Sequence, residues 1–138
     1  MARDQANQHW ETIHDAIVKI HSKQASQLSY EELYRTAYNM VLHKHGELLY
    51  NNVKLTIGEL LKPIAEDLLS NSDEEIIISL NKLWADHKLY IIMIKDILLY
   101  MNKNYVPKVK LKPVEQMQTS QFKHNIVLHP QIKQRLIG

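Results

Sequence analysis

The chain has 138 residues, 45 % hydrophobic and 23 % charged, enough apolar material for one packed domain without requiring two. A formal net charge of +2, with Lys and Arg scattered along the chain, argues against a nucleic-acid surface, which needs them clustered on one face. No cysteine is present, which excludes a disulfide framework, a thiolate metal site and a Cys nucleophile.

Met1 to Gln8 are polar, so no signal-peptide apolar region is expected. The longest apolar stretch, Leu89 to Ile94, is interrupted by Lys95 and Asp96 and falls well short of the about 18 residues a membrane span needs. The reading is an intracellular protein, cytoplasmic or nuclear. Only 3 glycines and 4 prolines occur, whereas all-β domains spend these residues on turns. The expected class is all-α.

Asn7 to His21 reads as the first helix, with Trp10, Ile13, Ile17 and Ile20 on one face. Ser22 to Gln27 is a polar break. The second helix starts at Ser29, where Ser29 and Glu32 have capping-box spacing and Leu28 and Leu33 have that of a hydrophobic staple. It should run to about His45 and stop at Gly46. Glu47 to Ser70 forms the third helix, with a kink or break expected before Pro63, which lacks a backbone donor. Asn71-Ser72-Asp73 is a turn. Glu74 to Tyr105 is helical, in one piece or in two with a bend near Asp86-His87. The stretch Leu89 to Met101 is apolar on nearly all sides, fit for a bundle centre or for a partner. Val106 to Pro113 is a connector. Val114 to Ile126 is a short helix with Phe122 and Ile126 inward, and Pro130 opens a last segment, Gln131 to Ile137.

Candidate chemistry is thin. Glu11 and His14 form one E-x-x-H, a spacing that occurs in pairs in di-iron bundles, but there is no second copy. His43 and His45 point about 200° apart on a helix and cannot easily share a metal. Asp86 and His87 are adjacent and do not face each other, so a polar hinge or a buried structural histidine is the better reading. No nucleophile elbow, phosphate loop or H-E-x-x-H is present. No catalytic residue, cofactor or metal is therefore assigned.

The second helix carries the strongest pattern. Tyr30, Tyr34 and Tyr38 recur every four residues and line up as a ridge, while Leu33, Ala37 and Met40 occupy the neighbouring face. Glu31 and Arg35 flank the ridge at pairing distance. Tyr and Arg are enriched among residues that dominate binding energy, and an exposed ridge of them is a protein-binding surface. A partly buried core role for the tyrosines is the competing reading.

Leu28 to Glu47, read as LSYEELYRTAYNMVLHKHGE, resembles the second helix of the cullin-3 family, the BTB-binding cullins. Leu49-Tyr50 continues the match. A second block, WADH at 84–87 and MIKDILLYM at 93–101, is similar to the fourth and fifth helices of that family. The resemblance covers about residues 10 to 106 and implies the first cullin repeat, a bundle of about five helices, followed by one or two short C-terminal helices. It divides the chain into 1–106, the adaptor-binding repeat, and 107–138, a linker and the start of a further helical segment.

The implied function is that of a non-catalytic, N-terminal module of a ubiquitin-ligase scaffold that recruits BTB-domain adaptors through its second and fifth helices. Carried over by position, the contact residues are Ser29, Tyr30, Glu31, Tyr34, Arg35, Tyr38 and Tyr100, with Tyr30 (usually Phe in the family) entering a pocket of the adaptor. The adaptors are often dimeric, which implies a two-to-two complex. A RING-box protein would bind only through a C-terminal cullin domain, for which this chain has no room. Only about six residues precede the first helix, so the family's N-terminal extension is not expected. Three alternatives stand beside this reading: a short standalone cullin-like protein that sequesters adaptors, a cullin of another subtype binding a BTB-like linker protein, and a metal protein built on Glu11 and His14.

Overall fold

The computed structural model describes residues 1–138, which form seven α-helices and no strand. Helix α1 (Arg3–His21) starts four residues before Asn7. Asp4 in its first turn suits the positive end of the helix dipole, and the Gln5 side chain accepts the Ala2 N–H at 3.4 Å. Ile13, Ile17 and Ile20 are buried, and Trp10 packs at the core's edge.

The break at residues 22–27 is a tight C-terminal motif. Lys23 takes φ 62°, and the Gln24 N–H reaches back to the Lys19 carbonyl at 2.8 Å. A 3₁₀ turn, Ala25–Gln27, leads into α2 (Tyr30–Leu42). Ser29 is the N-cap, but its exposed hydroxyl makes no bond, so the expected capping box does not form. Leu28 and Leu33 both join the core, as a staple requires.

Helix α2 ends three residues earlier than expected, again with lysine in the left-handed position. Lys44 has φ 68°, the His45 N–H bonds the Met40 carbonyl at 2.8 Å, and the Lys44 N–H bonds Val41 at 3.0 Å. Gly46 is not the left-handed residue. It opens α3 (Gly46–Leu69), where a Cβ would lie 2.6 Å from the Tyr105 ring. Its smallness lets α5 approach. Gly46→Ala should therefore destabilise the fold by about 1–3 kcal/mol, the usual cost of overpacking, seen as a lower urea midpoint.

Helix α3 runs unbroken through Pro63, contrary to the expected kink or break. Pro63 and Glu59, whose carbonyl loses its helical donor, are both exposed, so the missing bond falls on the solvent side. Helix α4 (Ile76–Ile97) is likewise unbroken at Asp86-His87. His87 is buried there and its Nε2–H donates to the Gln118 carbonyl at 2.9 Å, so it packs rather than hinges. The interruption comes at buried Leu98, after which α5 (Leu99–Asn104) follows.

Asn102 ties the connector's far end to the bundle: its Oδ1 accepts the Val114 N–H at 2.8 Å and its Nδ2 donates to Glu115 at 3.0 Å. The buried Tyr50 hydroxyl donates to the Lys112 carbonyl at 2.8 Å. Helix α6 (Val114–Phe122) widens into a π turn, Lys123–Val127, and α7 (Pro130–Ile137) starts with proline in its first turn. Phe122 and Ile126 are buried as expected.

One hydrophobic cluster draws on every helix, and Val114, Met117, Phe122, Ile126 and Ile132 bring residues beyond 106 into it. Arg135 holds α7 by donating to the Leu69 and Asn71 carbonyls at 2.8 and 2.7 Å and to Asp73 at 2.8 Å. Arg135→Ala should cost about 1–3 kcal/mol, since it leaves carbonyls without a charged donor. Faster amide exchange confined to 130–137 would accompany the loss.

Candidate protein-binding surface

Helix α2 buries Leu33, Ala37 and Met40 against α1, α4 and α5, which turns the opposite face outward. Tyr34 is 37 % exposed, and Tyr30, Tyr38 and Tyr100 are half-buried. Tyr34 and Tyr38 stack with ring centroids 6.4 Å apart and planes 27° apart. Tyr38 then meets Tyr100 of α5 at 4.3 Å and 56°. Three rings thus form one band across two helices, in the offset and tilted geometries that aromatic quadrupoles prefer.

Tyr30 stands outside this band. It packs partly against the core, and burial, with the Asp96 charge second, raises its pKa. The phenol therefore stays protonated. Glu31 and Arg35 pair at 2.9 Å but are mostly exposed, so the pair contributes about 0.3–0.5 kcal/mol at most. Ser29 is exposed at the head of the ridge. All seven candidate residues therefore lie on one continuous face: six at the start and along the outside of α2, and Tyr100 beside them on α5.

Leu42 was missed from sequence. It is 52 % exposed and continues the four-residue step from Tyr38. Leu42 also walls a cleft of about 420 Å³ with Val41, Tyr100, Tyr105 and the basic Lys44 and Lys108. The surface thus offers rings, an aliphatic end and charges on both flanks.

The other polar candidates do local work. The His43 Nδ1–H donates to the Asn39 carbonyl at 2.8 Å, and His45 Nε2 lies 3.3 Å from the Met1 carbonyl. Glu11 is exposed, while His14 packs edge-on against Trp10. Asp86 pairs with Lys23 at 3.1 Å. No three His, Asp or Glu side chains gather as a metal would require, and no helix is long and apolar enough to cross a membrane.

The packing of half-buried His21 against buried His87 was also missed. His21 at the end of α1 lies with its ring centroid 6.0 Å from that of His87 and 4.6 Å from that of Tyr90, while His87 packs on Trp84 and Phe122. Burial, with the neighbouring His87 second, pulls the His21 pKa down to about 4. Burial lowers that of His87 as well, opposed by its bond to the Gln118 carbonyl.

The family model for the cullin α-solenoid domain matches residues 10–138. The chain belongs to the cullin family. It is 43 % identical over 129 residues to Cullin-3 of Dictyostelium discoideum, covering 94 % of this chain and 17 % of that protein. It is 38 % identical over 133 residues to Cullin-3B of Arabidopsis thaliana, covering 96 % and 18 %. With Cullin-3 of Caenorhabditis elegans the identity is 43 % over 100 residues, covering 72 % and 13 %. The chain spans less than a fifth of these curated relatives. The matched residues make it a cullin α-solenoid module.

Proposed function

We propose that this cullin module captures BTB-domain adaptors for a ubiquitin-ligase scaffold, with α2 and α5 as the docking face. The observation that carries this reading is the Tyr34–Tyr38–Tyr100 band, which joins the two helices and faces outward beside Glu31 and Arg35. Rigid aromatic rings beside charged groups suit a binding centre: they supply contact area with few rotors to freeze. Stacking on one another fixes them before a partner arrives, which lowers the ordering cost of binding.

In this reading Tyr34 is the most accessible anchor, and Tyr30 with its protonated hydroxyl enters a pocket that offers an acceptor. Residues 1–106 act as the adaptor-binding repeat and 107–138 as a linker and the start of a further helical segment, in a protein of the cytoplasm or nucleus. A dimeric adaptor would carry two copies of the module. A RING-box protein would join only through a further cullin domain.

Amide shift mapping by NMR tests the face directly. Addition of an unlabelled BTB domain should perturb residues 29–42 and 99–104 first and leave α7 unchanged. Perturbation centred on α6 and α7 would overturn the assignment.

A further inference from the structure

Helix α4 has a second unpartnered face, distinct from the tyrosine band. Ile78, Leu89 and Ile92 are 70, 54 and 58 % exposed, and Ala85 is exposed beside them. At about 100° per residue, these positions fall in one arc along the helix. They form two rows with a seven-residue step. One row is Ile78, Ala85 and Ile92, and the other is Lys82, Leu89 and Asp96.

The face is self-complementary under a two-fold axis near Leu89. If a second α4 lies antiparallel, Ala85 meets Ile92 of the other copy and Lys82 meets Asp96, each pair twice, while Leu89 meets Leu89 once on the axis. The charges agree with this pairing. Lys82 and Asp96 are exposed and make no ion pair within the chain. The lysines flanking the rows are engaged already, Lys88 over the Trp84 ring and Lys95 with Glu115 at 3.4 Å. A face with an aliphatic row, and with free charges of opposite sign placed symmetrically about its centre, matches its own copy.

We propose that the exposed face of α4 is a homodimer interface, formed by an antiparallel α4–α4 pair centred on Leu89. The helix has 22 residues and is about 33 Å long, so one such pair falls below the area of a standard interface. A weak, concentration-dependent dimer is expected. This surface adjoins the docking face, with Asp96 close enough to Tyr30 for its charge to act there, and self-association of the chain alone is read without an adaptor.

Sedimentation velocity of the chain alone, over a concentration series, tests it. The wild type should pass from monomer to dimer with concentration, and Leu89→Glu should remain monomeric with an unchanged circular dichroism spectrum. Lys82→Glu and Asp96→Lys should each weaken association by about tenfold, because each turns two attractive pairs into two repulsive ones. The double variant should recover wild-type association. A wild type that stays monomeric throughout, a Leu89→Glu chain that still dimerises, or a double variant no better than either single change would each overturn the proposal.

Discussion

Tyr34→Ala should weaken capture of a BTB domain by about 2 kcal/mol or more, roughly thirtyfold in Kd, while the fold's stability changes little. Tyr34 is the most exposed ring of the band, so its removal opens no core cavity. What it removes is the outer end of a stack that continues through Tyr38 to Tyr100. Tyr100→Ala, on the other helix, should give a loss of similar size, and the two together should fall short of additivity because both act through Tyr38. Arg35→Ala provides the contrast in the free protein. Its partner Glu31 is largely solvated, so stability should change by less than about 0.5 kcal/mol, and any larger effect on binding reports a contact made only in the complex. Calorimetric titration measures the binding losses and urea unfolding the stabilities.

Acid should destabilise this fold beyond what its carboxylates require. His21 titrates near 6.5 when unfolded and at about 4 when folded, because burial and the nearby His87 oppose its charge. Between those values the unfolded chain holds more protons than the folded one. Stability is therefore fully present above about pH 6.5 and is lost as pH falls toward 4. By pH 5 the loss from His21 alone is about 2 kcal/mol. His87 adds to it in the same direction. Neither ring nitrogen of His21 has a partner in the chain, so no acceptor waits for the second proton. His21→Leu should flatten the urea midpoint between pH 7 and pH 5. A wild-type midpoint that does not move across that range would refute the assignment.

The helical periodicity was legible because it is local. Ile13, Ile17 and Ile20, or Leu33, Ala37 and Met40, are separated by three and four residues, and burial follows directly. The outer tyrosine band was legible for the same reason along α2, and the family resemblance added Tyr100. What escaped depends on residues distant in sequence. Gly46 reads as a helix stop, yet its smallness answers to the Tyr105 ring. Pro63 reads as a kink, yet its missing bond lies on the solvent side of α3. The interruption at Leu98 sits in Ile97-Leu98-Leu99, without a glycine or proline to announce it. The burial of His21 follows from its packing on Tyr90 and His87, both on α4.

The central claim is that α2 and α5 together capture a BTB adaptor. Calorimetric titration of the chain with a BTB-domain adaptor, beside the Tyr34→Ala, Tyr100→Ala double variant, tests it most directly. The account predicts submicromolar binding by the wild type, abolished in a double variant that keeps its helical spectrum and unfolding midpoint. Wild-type affinity retained by that folded double variant, or no binding to any of several BTB domains, would contradict it.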